Sequence, residues 1–160
     1  MQALPELLRG KGAHIDPIAC VEDLPGNLAA TRIEGFPHSI VDLVFHMNYW
    51  MNYELKRIRG QRPHYPEHNA ESFPTTPQNW DQLKRDLSWF VSEFAKLAQS
   101  STDELRREVE AIHAGDKQQA NTVEALLWQM VAHNSYHTGQ IAMLRQALNA
   151  WPPKSGGDTW

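Results

Sequence analysis

Residues 133–141 read HNSYHTGQI and set His133 and His137 four apart in a stretch whose apolar residues recur at helical spacing. Positions i and i+4 of a helix project from the same side. Two imidazoles one turn apart can hold a metal, act on a substrate, or hydrogen-bond in a wet core. The stripe Leu126, Met130, His133, His137, Ile141, Leu144 and Leu148 turns both rings towards the interior. A third histidine, His46, falls three residues after Leu43 and four before Trp50, on the apolar side of an earlier helix. A lone inward histidine is usually a hydrogen-bonded core residue. Three on two helices are harder to explain that way, because clustering imidazoles without a shared partner multiplies their desolvation cost. One divalent cation would satisfy all three. His46, His133 and His137 are thus candidate metal ligands, with an ordinary polar core as the alternative. The run is not the zincin HExxH, since Asn134 stands where that motif carries its catalytic glutamate.

The elements that must position these residues can be read from periodicity and punctuation. A first, short and broken helix is expected from Asp16–Pro17 through Ala29, interrupted at Pro25–Gly26, with a turn of helix over Leu4–Leu8 before it. The second starts at Ser39 as N-cap and carries Ile40, Leu43, Val44, Met47, Trp50, Met51, Leu55 and Ile58 to a stop at Gly60. The third has the clearest repeat, with Trp80, Leu83, Leu87, Phe90, Phe94 and Leu97 forming a narrow bundle seam. A charged helical stretch from Asp103 to Glu110 and a Gly-containing loop follow. The fourth helix is expected from a capping box at Asn121–Glu124 to about Ala150, before Trp151-Pro-Pro. No strand alternation or hairpin signal appears. Residues 60–78, with four prolines, form a long crossover between helices two and three that would shape a pocket. The expected fold is an all-α four-helix bundle in one domain over residues 1–160.

Bulk composition limits the function. With 160 residues, 41% apolar and 21% charged, the chain can bury a core without disulfides. A net charge of −4 argues against nucleic acid as partner. The single cysteine, Cys20, allows no internal disulfide and fits a reducing compartment. Residues 1–12 lack the apolar core of a signal peptide, and no segment reaches membrane-spanning length, so a cytoplasmic protein with no membrane partner is expected.

The stretches GFPHSIVDLVFHMNYW (35–50) and HNSYHTGQIAMLRQALNAW (133–151), with GAHID (12–16) and Trp80 as weaker matches, resemble the DinB/YfiT-like superfamily. Its members are regarded as metalloenzymes, and most are uncharacterised. The resemblance runs along essentially the whole chain. It implies a four-helix bundle holding one divalent metal on three histidines, which here are His46, His133 and His137. Zinc or nickel is expected, because imidazole suits both and no carboxylate is foreseen among the ligands. Some relatives are regarded as metal-dependent hydrolases and others as transferases or isomerases using low-molecular-weight thiols.

Three neutral imidazoles leave a +2 charge uncompensated, which makes a Lewis acid able to acidify bound water towards a pKa of about 7 or to ionise a thiol. Hydrolysis and thiol transfer on a small molecule are therefore both open. A non-catalytic metal-binding or partner-binding bundle is the alternative from another class. A homodimer is a further expectation. Two catalytic candidates are weaker. Gln140 shares the face of His137 and His133 and would orient a ligand, unless it is a surface amide; Glu54 would be a general base, unless it is an exposed charge. Gly139 is expected to let helices approach, and Tyr136 to pack between them. His64, His68 and His113 are placed in solvated loops. His14 and His38 match family positions without an assigned role, and Cys20 is expected to be a small core hydrophobe.

Overall fold

Helix caps set the frame. In the computed structural model, which describes residues 3–112 and 122–157, the helices are α1 (Ala3–Leu8), α2 (Ala19–Glu22), α3 (Gly26–Ala29), α4 (Ile40–Ile58), α5 (Trp80–Leu97), α6 (Thr102–Arg106) and α7 (Val123–Ala147). At the start of α4, Ser39 Oγ accepts from the Asp42 amide at 3.2 Å while the Asp42 carboxylate accepts from the Ser39 amide at 2.9 Å. This reciprocal box satisfies two amides that a helix start leaves without partners. Gly60, at φ 75°, ends the helix, and the Gln61 amide reaches back to the Lys56 carbonyl at 2.9 Å. Asn79 caps α5 by accepting from the Gln82 amide at 3.0 Å. Thr122 caps α7 by accepting from the Ala125 amide at 3.2 Å. The expected capping residue Asn121, the Gly-containing loop and His113 lie outside the described residues.

The α5 seam is buried as its spacing predicts, through Trp80, Leu83, Leu87, Phe90 and Phe94. It faces α4, which also packs on α7; α1 packs on the same two helices, α5 and α7. The fourth corner of this all-α bundle is therefore filled by the N-terminal segment, with Leu4 and Leu8 of α1 buried. The helix expected over 16–29 is two single turns, α2 and α3, because Pro25 is extended (ψ 148°) between them. Indole Nε1 of Trp80 donates to the Leu24 carbonyl at 2.7 Å and ties this segment to α5. His14 ties it to α7, its Nδ1 donating to the Ile15 carbonyl and its Nε2 accepting from the Ser135 hydroxyl, each at 2.7 Å.

Two boundaries differ from expectation. The charged stretch is helical only over α6, and Glu108 then pairs with Thr122 in an isolated antiparallel bridge. α7 stops at Ala147, short of Ala150, because Asn149 adopts φ 55° and the Ala150 amide folds back onto the Arg145 carbonyl at 2.8 Å. Asparagine tolerates that left-handed position better than most residues. Arg145 is itself buried, donating to the carbonyls of Ala150 and Cys20 and, at 2.8 Å, to Asp23. Cys20 is fully buried, which pushes its thiol up to about 12 against the pull of Arg145. Among the described residues no helix is long and apolar enough to cross a membrane.

Candidate metal centre

α4 and α7 bring the three predicted histidines together. One ring nitrogen from each of His46, His133 and His137 lies within 4.8 Å of one from each of the others. His46 and His137 are buried and His133 is half-buried. His46 Nε2 and His133 Nε2 are 3.3 Å apart.

Hydrogen-bond partners on the far side of each ring fix which nitrogen is free. Ser72 Oγ spends its one hydrogen on the Asn69 carbonyl (2.6 Å), so towards His46 Nδ1 (2.8 Å) it can only accept. Gln140 Oε1 accepts from His137 Nδ1 at 2.7 Å, and Asn134 Oδ1 lies 3.4 Å from His133 Nδ1. His46 and His137 therefore carry their proton on Nδ1 and present a bare Nε2, and His133 does the same in the tautomer whose Nδ1 donates to Asn134. Burial, followed by the neighbouring His137 and His133, lowers His46 to about 3. Burial, then His137, lowers His133 to about 4, and burial lowers His137 as well. At neutral pH the cluster is three neutral acceptors.

With His133 protonated on Nδ1, the His46 and His133 lone pairs 3.3 Å apart have no hydrogen to share. That donor set fits a divalent cation. Nitrogens about 2.0–2.1 Å from one zinc ion at a tetrahedral angle lie roughly 3.3–3.4 Å apart.

Aromatic rings enclose the cluster. Phe73 stacks on His46 at 4.3 Å and 10°, and on its other face on His38 at 3.9 Å and 1°. Trp50 meets His46 edge-on at 6.3 Å, and Tyr136 meets His137 at 5.1 Å.

The weaker candidates separate. Gln140 touches a ligand histidine, and its Nε2 donates to the Tyr136 hydroxyl at 3.2 Å. Glu54 is buried, not an exposed charge, and accepts from Arg57 at 2.8 Å; it is not a member of the histidine cluster. Tyr136 is 65% exposed and so does not pack between helices. Gly139 faces open space, with nothing within 4 Å of where a Cβ would stand, so it serves no close helix approach. His64 and His68 are exposed. Ser72, Phe73 and Asn134 are the site residues that sequence reasoning missed. Asn134 is buried and donates to the Met51 sulfur at 3.3 Å, holding the amide whose oxygen faces His133.

Residues 18–141 match the family model of the DinB superfamily, and the chain belongs to that superfamily. No curated protein and no solved structure matches it.

Proposed function

We propose that the protein is a metal-dependent enzyme acting on a small molecule, by hydrolysis or by transfer involving a low-molecular-weight thiol. The observation that carries this reading is the convergence of three neutral, like-tautomer imidazoles on one point. A divalent ion held there, zinc or nickel by ligand type, would supply Lewis acidity and lower the pKa of a water or thiol bound to it. The neutral donor set favours an anionic fourth partner, because it cancels none of the ion's charge.

The chain's own residues have distinct parts in this reading. His46, His133 and His137 bind; Ser72, Asn134 and Gln140 hold the Nδ1 protons and keep the rings aimed. Phe73 and Trp50 cover His46 and limit its access to water. Tyr136 accepts from Gln140 and keeps its own hydroxyl hydrogen for a substrate oxygen at the exposed rim.

Calorimetry of 2-mercaptoethanol into zinc-loaded protein, in two buffers of different ionisation enthalpy, tests the thiol branch through proton release. Cobalt-loaded protein should then gain a near-ultraviolet thiolate band. Turnover of 4-nitrophenyl acetate, lost in His137→Ala, with no thiol signal selects the hydrolase branch. A fourth ligand from the protein, with neither thiol binding nor turnover, replaces the enzyme with a non-catalytic metal-binding module.

A further inference from the structure

The bundle helices supply the imidazoles, but a loop supplies one of the atoms that aims them. Ser72 closes a single 3-10 turn, Asn69–Ser72, in the crossover between α4 and α5, and its residue is fully buried. We infer that Ser72 is a positioning residue that couples metal binding at His46 to closure of this crossover turn onto α4. The inference rests on the metal-centre reading above.

Geometry carries the argument. The Ser72 hydroxyl donates to Asn69 within its own turn and accepts from His46 Nδ1 on α4, so one atom bridges loop and ligand. While that bridge stands, His46 keeps its proton on Nδ1 and its bare Nε2 faces His133 Nε2 at 3.3 Å. The adjacent Phe73 lies flat on the same imidazole, at 4.3 Å, and blocks ring rotation. With the turn open, the His46 ring is free to rotate and to exchange tautomers, which lowers the share of molecules ready to bind.

The turn has little to hold it closed by itself. Its own bonds are Glu71 amide to His68 carbonyl (3.0 Å), Phe73 amide to Ala70 carbonyl (3.1 Å) and His68 amide to the exposed Glu71 carboxylate (2.9 Å), and one turn of 3-10 helix is marginal in isolation. Its closure onto α4 therefore draws on the Ser72 and Phe73 contacts with His46, beside the stack of Phe73 on His38. Linkage then requires reciprocity: whatever factor turn closure adds to metal affinity, metal binding adds to turn closure. Loss of a hydrogen-bond partner behind a metal-bound histidine typically lowers metal affinity about 10–100-fold.

The test combines zinc titration against a competing chelator with hydrogen exchange at the Glu71 and Phe73 amides. In the wild-type protein, saturating zinc should slow exchange of both amides by about the same 10–100-fold. Ser72→Ala should bind zinc weaker by that factor, and zinc should no longer slow those amides. Wild-type affinity in Ser72→Ala, or amides indifferent to zinc in a wild-type protein that binds it, overturns the coupling and leaves the metal centre standing. If Ser72→Ala loses its helical circular dichroism, the wild-type exchange comparison decides alone. Failure of the wild-type protein to bind zinc or nickel at all removes the metal centre and this inference with it.

Discussion

His137 and Gln140 stand one turn apart on α7, and the amide oxygen of Gln140 accepts from His137 Nδ1 over 2.7 Å. Local helical spacing thus provides the partner behind a ligand, whereas the partner of His46 comes from a distant loop. Gln140→Leu should weaken zinc binding about 10–100-fold with the fold intact. Gln140→Glu should retain binding, because a carboxylate accepts the same proton. Competition titrations with both variants check this, and equal affinity for Leu and Gln would mean that His137 needs no partner there.

The three histidines should hold one ion between them. Alanine at His46, His133 or His137 should each strongly lower metal content in protein purified without a histidine tag, while the circular-dichroism spectrum stays helical. Elemental analysis of the three variants reads this directly. Unchanged stoichiometry in both His133→Ala and His137→Ala would place the metal elsewhere.

How far the sequence foretold this site depends on where each residue sits. His46, His133 and His137 were legible because they interrupt apolar stripes on long helices, where a 3.6-residue period fixes direction. Gln140 was half-legible for the same reason. Ser72 and Phe73 were not, since an aperiodic, proline-rich loop gives no rule for what it will touch. Asn134, Glu54, Arg57 and Arg145 were misread or passed over, because polar residues look solvent-directed until a partner such as Asp23 or Met51 is placed beside them. The fourth corner was the weakest part of the fold reading. Single helical turns such as α2 and α3 are held by tertiary contacts, and little in their own sequence marks their ends.

Packing on α5 gives a stability prediction independent of any metal. Phe94 is fully buried, whereas Met143 on α7 is 58% exposed. Phe94→Ala should cost about 3–5 kcal/mol in urea unfolding, the usual range for a buried phenylalanine. Met143→Ala should stay within about 0.5 kcal/mol, as surface substitutions do. A loss at Phe94 of under about 1 kcal/mol would mean that the seam is not the core.

Acid should destabilise the metal-free protein through these same imidazoles. Burial lowers His46 to about 3 and His133 to about 4 from an ordinary value of 6.5, and lowers His137 in the same direction. The native cluster therefore stays neutral in a range where the unfolded chain takes up protons. Between about pH 6.5 and about pH 4 the unfolded state binds more protons, so stability falls as pH falls through that window. Above about pH 7 both states are neutral at these positions, and the cluster contributes no slope. The carboxylates of Asp23 and Glu93 act lower. Burial raises Asp23, but the hydrogen bonds from Arg145 and the Lys154 amide, with the Arg145 charge, together outweigh it, and the Lys96 hydrogen bond lowers Glu93, from ordinary values of 3.8 and 4.5. Urea midpoints of chelator-stripped protein should hold steady from about pH 8 to about pH 7 and then drop towards about pH 5. Replacing His46, His133 and His137 together by glutamine should remove most of that drop. A wild-type midpoint that stays flat down to about pH 5 would mean that the imidazoles are solvated in the native state, and the buried three-acceptor cluster would be wrong.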